Sequence, residues 1–419
     1  MSSRERVLAS LNHEEPDRVP VDLGATPSSG ISAIAYHNLK SELRIAGNTR
    51  VYDVVQQLAQ PEESILDLFK IDVVDVGRAF NVGNRDWYRV VLPDGTPCQF
   101  PSWFRPLRGS DGIWRVEGPE GDIIAIMPHG GTFFEQTLFP YTKSYPEDHV
   151  DLKDDMNKVH WSALAHSPWD HAKDPGFWNA LREKTRELGR VSDRALVISV
   201  GCNLFEWGTF LRRMDNFVRD LTMRPGDVDR LLDALMELHM EFLERVCRTV
   251  GDLVDVVRFG DDLGSNQGPL ISPRLYRRYF KERHGELCRY VRDNSQMHTF
   301  LHSCGSVYEL LPDIIEAGFE IVNPVQINAR GMDPERLKSK FGDRVTFWGG
   351  GCDTRNVLNR SDPSWVGDHV RHLVQTLSAG GGFVFTTVHN ILPDVPPRNL
   401  LAMYGALEGK GYPWRRSDG

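Results

Sequence analysis

The sequence predicts an α/β fold, a closed (β/α)8 barrel with a small β-hairpin insertion in its N-terminal third. Strand and helix patterns alternate without a break from about residue 170 onwards, which is typical of a parallel sheet with helices outside. No G-x-G-x-x-G motif follows an early strand, which weakens a doubly wound dinucleotide-binding fold as the alternative. Eight strand patterns favour the closed barrel, and they start at about residues 19, 71, 195, 254, 297, 320, 345 and 383.

The N-terminal third combines helices with a β-rich region. Strands are predicted at Val19–Leu23 and at Ile71–Val76, where acidic and branched apolar residues alternate. An Asp94-Gly95 hairpin turn begins a run of short strands, and we expect a β insertion at about 85–145 within a single domain over 1–419. Residues 140–165 have the polar, proline-bearing composition of a surface connection. Helices are predicted over 3–13, 31–45 and 52–70, the last in two pieces broken near Pro61.

The remaining helices separate the later strands. Apolar residues recur at helical spacing in each of them, which predicts an amphipathic helix with one face on the sheet. They cover 176–189, 216–222, 226–250, 273–293, 306–317, 333–340, 363–379 and 397–409.

Composition excludes several function classes. The chain has 419 residues and a formal net charge of −9, which argues against nucleic-acid binding through bulk electrostatics. No run of 18 apolar residues occurs, so we expect no membrane span. The N-terminus leads into an amphipathic segment rather than an apolar signal core, and we expect a cytoplasmic protein. The sequence leaves open whether the protein forms a homodimer.

In a barrel of this kind, we expect the catalytic and binding residues to lie at the carboxyl ends of the strands. His302 and Cys304 end the strand that starts near 297, and residues two apart in a strand point to the same side. An imidazole and a thiolate aimed at one point form half of a zinc site. The alternative interpretation is a core histidine beside a core cysteine.

Cys352 and His389 follow the strands that start near 345 and 383. Together with His302 and Cys304 they make a set of two histidines and two cysteines, which suits the nitrogen and sulfur preference of Zn²⁺. A catalytic zinc needs only three protein ligands, so one of Cys352 and His389 could support the site without binding the ion. His389 could instead only hydrogen-bond a backbone group, and Cys352 could be a small residue packed in a glycine turn.

An acidic pair, Asp261 and Asp262, ends the strand that starts near 254. These residues could be general acid/base groups, a fourth metal ligand or substrate anchors, and they could equally be a helix cap or part of a structural salt bridge. Further strand-end residues are candidates for substrate or cofactor binding, with rim solvation or plain packing as the alternative: Asn203, Glu206, Gln326 and Trp348.

Several motifs resemble those of one known group of enzymes. They are Asp17-Arg18-Val19-Pro20, Asp261-Asp262-Leu263-Gly264-Ser265, His302-Ser303-Cys304-Gly305, Trp348-Gly349-Gly350-Gly351-Cys352-Asp353 and Val388-His389-Asn390. With these motifs the chain resembles the uroporphyrinogen decarboxylase superfamily over nearly its whole length. Within it, the chain is similar to the cobalamin-dependent methyltransferases of the methylcobalamin:coenzyme M type.

The resemblance implies the barrel fold and a zinc site. The methyltransferase branch carries a His-x-Cys zinc pair, which His302 and Cys304 match. Its third ligand is a cysteine after the last strand, where this chain has His389, while Cys352 lies one strand earlier. Decarboxylases of the superfamily carry an arginine-rich loop for porphyrin carboxylates, and the matching residues 23–29 contain no arginine. This departure argues against porphyrinogen decarboxylation.

We therefore expect a zinc-dependent methyltransferase that moves a methyl group between cobalamin or another corrinoid and a small methylated substrate or thiol acceptor. Zinc would lower the pKa of a bound thiol or polarise a methylated heteroatom. The chain shows no cobalt-binding histidine motif, so the corrinoid would arrive free or on a partner protein. The alternatives are a lyase or decarboxylase acting on a small carboxylated substrate through Asp261 or Asp262, and a non-enzymatic corrinoid or metal binder.

Overall fold

Strands and helices alternate along the protein, which a computed structural model describes over residues 1–159 and 166–409. The strands are β1 (Ile31–Ser32), β2 (Val51–Asp53), β3 (Leu58–Ala59), β4 (Val73–Asp75), β5 (Trp87–Val91), β6 (Pro97–Pro101), β7 (Leu107–Arg108), β8 (Trp114–Glu117), β9 (Ile123–Met127), β10 (Glu135–Gln136), β11 (Ala195–Gly201), β12 (Val256–Gly260), β13 (His298–His302), β14 (Ile321–Asn323), β15 (Thr346–Trp348) and β16 (Phe383–Val384). The helices are α1 (Ser3–Leu11), α2 (Ala33–Leu43), α3 (Glu63–Leu68), α4 (Leu152–Asn157), α5 (Phe177–Val191), α6 (Phe205–Arg212), α7 (Met214–Met223), α8 (Pro225–Val250), α9 (Pro273–Tyr279), α10 (Lys281–Asn294), α11 (Leu311–Ala317), α12 (Pro334–Phe341), α13 (Pro363–Ser378) and α14 (Pro397–Leu407).

The central sheet has seven parallel strands in the order β16-β15-β14-β13-β12-β11-β4. The extended segment around Val21 joins its two edges. On one side Val21 pairs in parallel with Phe385, and on the other the main-chain oxygen of Val21 accepts the N–H of Asp72 at 2.8 Å. This segment is the first of the eight predicted strands, and it closes the sheet. The predicted (β/α)8 barrel is therefore confirmed.

Apolar side chains at alternate strand positions fill the lower part of the barrel. They include Val73, Val197, Val256, Phe300 and Trp348. Helix α1 adds Val7 and Leu11 to this cluster, and it lies across the amino ends of the strands, where its Ser10 hydroxyl donates to the main-chain oxygen of Phe383 at 2.7 Å. The opposite end, formed by the carboxyl ends of the strands, is left for polar residues.

The predicted β insertion is also confirmed. Strands β5 and β6 form a hairpin whose turn contains Asp94 and Gly95, and β7 to β10 form a second antiparallel sheet in the order β10-β9-β8-β7. Of the predicted connection at 140–165, residues 152–157 form α4, and 160–165 lie outside the described residues. That the chain forms a single domain stays a prediction.

The prediction of helix over 52–60 is wrong. Strands β2 and β3 occupy this segment, and β3 pairs in antiparallel fashion with both β1 and β2. Val51, Val54, Val55 and Leu58 recur at the i, i+3, i+4, i+7 spacing of a helix, which explains the prediction. The polar Asp53 and Gln57 between them are buried as well, and sheet pairing overrides the local period. Helix α6, directly after β11, was not predicted because its first turn was interpreted as the end of the strand.

Within the described ranges, 1–159 and 166–409, none of the helices combines the length and the apolar character that a membrane crossing requires.

Candidate metal centre

The turn after β13 places His302 and Cys304 at the carboxyl end of the barrel. His302 pairs with Gly260 of β12, and Nε2 of His302 lies 3.4 Å from the Cys304 sulfur. The Cys304 N–H donates to Asp262 at 2.8 Å. Gly305 has φ of 86°, and a Cβ there would lie 2.5 Å from a main-chain carbon of Gly264, so the turn needs glycine. The spacing predicted from the sequence thus brings both donor atoms to one point.

Asn323, the last residue of β14, holds the His302 ring. Its amide nitrogen donates to the main-chain oxygen of Trp348 at 2.9 Å, which leaves the amide oxygen as the acceptor that faces His302. That oxygen lies 2.7 Å from Nδ1 of His302 and also accepts the Ser28 hydroxyl at 2.8 Å. Because the amide oxygen can only accept, Nδ1 must carry the proton. The lone pair of Nε2 then points towards Cys304.

His389 completes a group of three. One nitrogen of His302, one nitrogen of His389 and the sulfur of Cys304 lie within 4.8 Å of one another. The His389 ring forms no hydrogen bond within the described part of the chain, so its nitrogens are available to a ligand. Its φ of 107° is unusual for a residue with a side chain, and such backbone conformations cluster at functional sites.

The electrostatics of this group suit a metal ion. Burial lowers the pKa of His302 and of His389 to about 3, so both imidazoles are neutral at physiological pH, as metal binding requires. Burial and the nearby Asp262 carboxylate raise the pKa of the Cys304 thiol well above its usual value. Coordination to a cation reverses that effect and deprotonates a thiol. Two neutral imidazoles and one sulfur are donors that Zn²⁺ accepts, and three protein ligands leave one position free.

Cys352 does not join this group. Its side chain is fully buried in the apolar core, where burial raises the pKa of the thiol. Its main-chain oxygen accepts the N–H of Val388 at 3.0 Å. Of the alternatives left open by the sequence, the structure brings His389 and not Cys352 to His302 and Cys304.

Asp261 has the position of a helix cap. Its carboxylate accepts three main-chain N–H groups at the start of α6, from Leu204 at 3.3 Å, Phe205 at 3.0 Å and Glu206 at 2.8 Å. Nε2 of His284 lies 3.1 Å from the same carboxylate, whose side chain is fully buried. With both oxygens occupied, Asp261 favours the capping interpretation over acid/base chemistry.

Asp262 lies beside the group of three. Its carboxylate is 3.5 Å from Nε2 of His302, and the side chain is 39% exposed. The same carboxylate holds the Cys304 N–H. Of the acidic pair, Asp262 is therefore the residue whose carboxylate lies beside the metal group.

Of the other predicted residues, Asn203, Glu206 and Gln326 lie near the carboxyl ends of the strands, whereas Trp348 lies in the core. The Asn203 amide donates to Glu206, and both side chains cover Gly260 at the mouth, where burial raises the pKa of Glu206 well above its usual value. Gln326 accepts the N–H of Gly305 at 2.8 Å and so supports the turn that carries Cys304. Trp348 is fully buried and donates from Nε1 to Asp22 at 2.8 Å, so its ring offers no face to a cofactor.

Two residues at this end of the barrel are not among those predicted from the sequence. Asn323 ends β14, and its hydrogen bond to His302 spans 21 residues of sequence. Arg258 lies in the middle of β12, where the strand pattern gives it no further role. A lone cation inside an otherwise buried strand is a signal that could have identified it.

Comparisons with known proteins are consistent with this architecture. The family model described as "Uroporphyrinogen decarboxylase (URO-D)" matches residues 198–409, just over half of the chain. A solved structure described as a methyltransferase from Methanosarcina mazei aligns with a TM-score of 0.58 and 17% identity over 98% of this chain and 99% of that chain. At this identity the likeness shows the fold alone. No curated protein matches the chain significantly.

A B12-independent methionine synthase from Shewanella sp. W3-18-1, solved in complex with selenomethionine, aligns with a TM-score of 0.38 and 10% identity over 93% of this chain and 96% of that chain. An alignment at that score supports no conclusion. The family match, in contrast, spans β11 to α14 and contains every residue of the metal group. The chain therefore belongs to the uroporphyrinogen decarboxylase family.

Proposed function

We propose that this protein is a zinc-dependent methyltransferase that moves a methyl group between a corrinoid and a thiol or another small-molecule substrate. The observation that carries the proposal is the convergence of one nitrogen each from His302 and His389 with the sulfur of Cys304. These three residues would hold Zn²⁺. When bound, zinc supplies Lewis acidity, which lowers the pKa of a coordinated thiol or polarises a methylated heteroatom.

The residues of the chain support this chemistry in distinct ways. Asn323 keeps the proton on Nδ1 of His302, so that Nε2 remains a donor atom. Asp262 is partly exposed beside Nε2 of His302, where it can take the proton that an incoming thiol releases and pass it to water. Cys304 is only half buried, so a second molecule can approach the group from the solvent side.

Decarboxylation of a porphyrinogen is less well supported. The loop at 23–29 contains no arginine for porphyrin carboxylates, and its Thr26, Ser28 and Ser29 are buried and hydrogen-bonded to one another or to Asn323. The loop therefore supports the His302 ring from below. A corrinoid-carrying partner protein, a homodimer and a cytoplasmic location stay predictions from the sequence.

Metal analysis combined with a methyl-transfer assay tests the proposal. Purified protein is expected to contain one zinc per chain, and with methylcobalamin and 2-mercaptoethanol it should give a demethylation followed in the visible spectrum. His302→Ala and Cys304→Ala should lose both properties. Full metal content in those two variants would show that the site is wrong. A zinc-loaded protein that releases carbon dioxide from a carboxylated substrate and transfers no methyl group would favour the lyase.

A further inference from the structure

Arg258 lies inside the barrel, directly below the metal group. On β12 it follows Val256 by two residues, and Val256 lines the barrel interior. Its register partners are Ser199 on β11 and Phe300 on β13. The residue is 5% exposed, so its guanidinium is enclosed by the strands.

This guanidinium has no hydrogen-bond or salt-bridge partner in the part of the chain that the structure describes. Arginine carries five N–H donors and stays charged. Among residues 1–159 and 166–409, however, the Arg258 side chain forms neither a hydrogen bond nor a salt bridge, and its Nε is buried without an acceptor. Burying an unpaired cation is costly, so buried arginines are normally held by carboxylates. Within residues 1–159 and 166–409, the donors of Arg258 are therefore free to bind an acceptor on a ligand.

Buried polar atoms near Arg258 have no hydrogen-bond partner among the described residues. They are the Ser199 hydroxyl and the Asn203 amide oxygen, and Oδ2 of Asp75 is a third such atom on β4, the strand on the other side of β11. Ser199 is the register partner of Arg258, and the Asn203 amide would lie 2.7 Å from a Cβ on Gly260, two residues further along β12. Buried polar atoms are usually paired, so a cluster of unpaired ones indicates a polar ligand.

The carboxyl groups of Glu206 and Asp262 are near enough to interact with the charge of Arg258, but neither forms a salt bridge with it. Burial raises the pKa of Asp75 to about 8 and that of Glu206 well above its usual value, which favours the neutral form of each carboxyl. Arg258 and the metal group are adjacent along the barrel interior, since Arg258 pairs with Phe300 and Gly260 pairs with His302. The space around Arg258 is therefore continuous with the group.

The register places Arg258 close to the metal group. Gly260 is paired with His302, and Arg258 is two residues before Gly260, so the main-chain positions of Arg258 and Gly260 are about 7 Å apart along the strand. One small ligand can therefore contact both the Arg258 side chain and the group. The planar fork of a guanidinium matches a carboxylate in bidentate fashion.

We infer that Arg258 binds the carboxylate of a short-chain substrate whose reactive end reaches His302, Cys304 and His389. The identity of that reactive end, a thiol or a methylated heteroatom, rests on the proposed function, whereas recognition of the carboxylate does not. Arg258 is thus a specificity-determining residue of the same site.

Calorimetric titration of the zinc-loaded protein tests the inference with two matched probes, 3-mercaptopropionate and its neutral amide, 3-mercaptopropanamide. Wild type should bind the carboxylate about 10- to 100-fold more tightly than the amide, as expected for charge-assisted hydrogen bonds. Arg258→Met should lose this preference, chiefly through weaker binding of the carboxylate, and Arg258→Lys should restore part of it. Equal affinities in wild type, or a preference that persists in Arg258→Met, would overturn the inference.

Thermal unfolding provides a readout that a purely structural arginine would not give. Because Arg258→Met removes an unpaired buried charge, its melting temperature should equal or exceed that of wild type, and propionate should raise the melting temperature of wild type alone. A lower melting temperature for Arg258→Met, with no protection of wild type by propionate, would assign Arg258 a structural role and overturn the inference.

If no thiol accepts a methyl group while the carboxylate preference depends on Arg258, the proposed function fails and the inference stands. If a thiol accepts a methyl group but the protein shows no preference for the carboxylate, the inference fails and the proposed function stands.

Discussion

The amide oxygen of Asn323 lies 2.7 Å from Nδ1 of His302 and orients that ring from the neighbouring strand. The amide nitrogen of Asn323 is fixed in turn by the main-chain oxygen of Trp348. Three consecutive strand ends, β13 to β15, therefore cooperate to present one nitrogen atom to the metal group. Partners of this kind fix the tautomer of a histidine ligand and raise its basicity.

Replacement of Asn323 by leucine should weaken metal binding about 10- to 100-fold, because His302 loses the acceptor that holds the proton on Nδ1. Competition with a chelator measures the affinity. Asn328→Leu is a matched control, since its amide contacts Asp353 rather than a metal-group residue. Equal metal affinity in Asn323→Leu and wild type would contradict the assigned role of Asn323.

Replacement of Cys352 and replacement of His389 should have opposite effects on zinc content. Cys352→Ala should keep its zinc and lose about 1 kcal/mol of unfolding free energy, because a buried core side chain is shortened. His389→Ala should lose most of its zinc, because only two donors remain. Metal analysis after dialysis, together with urea unfolding, separates these outcomes. If Cys352→Ala loses metal as completely as Cys304→Ala, the group has been misassigned.

Asp261 and Asp262 differ in role although they are adjacent. Asp261→Ala should lower the unfolding free energy by about 3 kcal/mol, because three N–H groups at the start of α6 and His284 lose their acceptor. Asp262→Ala should change it by less than about 1 kcal/mol, because that side chain is partly exposed, but it should slow methyl transfer. Denaturant unfolding and rate measurements on both variants check the pair. A fully stable, inactive Asp261→Ala would restore the acid/base interpretation.

The buried carboxyl of Asp75 should make stability depend on pH. Its pKa is raised to about 8 by burial, against about 3.9 in an unfolded chain, so the folded state holds the proton more tightly. The stability that this group contributes is complete below about pH 4 and is lost as the pH rises towards 8, by at most about 1.4 kcal/mol per pH unit.

Asp75→Asn should remove this dependence, because the amide keeps the acceptor for the Gly77 N–H and replaces an oxygen that has no partner. The stability of the variant relative to wild type should therefore grow between about pH 5 and pH 8, which urea unfolding at the two pH values measures. A difference that stays constant across this range would show that Asp75 is not strongly shifted.

The local sequence determined the barrel and two of the three residues of its metal group. Strand and helix periods depend only on neighbouring residues, so the eight strands, their order along the chain and the shared side of His302 and Cys304 could all be predicted. The run at 52–60 is the exception, because its apolar residues have the spacing of a helix although sheet pairing forms two strands there.

Tertiary structure alone decided which residues complete the site. The direction of a side chain after the last residue of a strand depends on the turn that follows, and the turns at Gly349 and His389 use left-handed backbone conformations that no periodic pattern predicts. For that reason His389 joins the group and Cys352 enters the core. The positions of Asn323 and Arg258 arise from the register between strands far apart in sequence, since contacts across a sheet are set by pairing and not by local order.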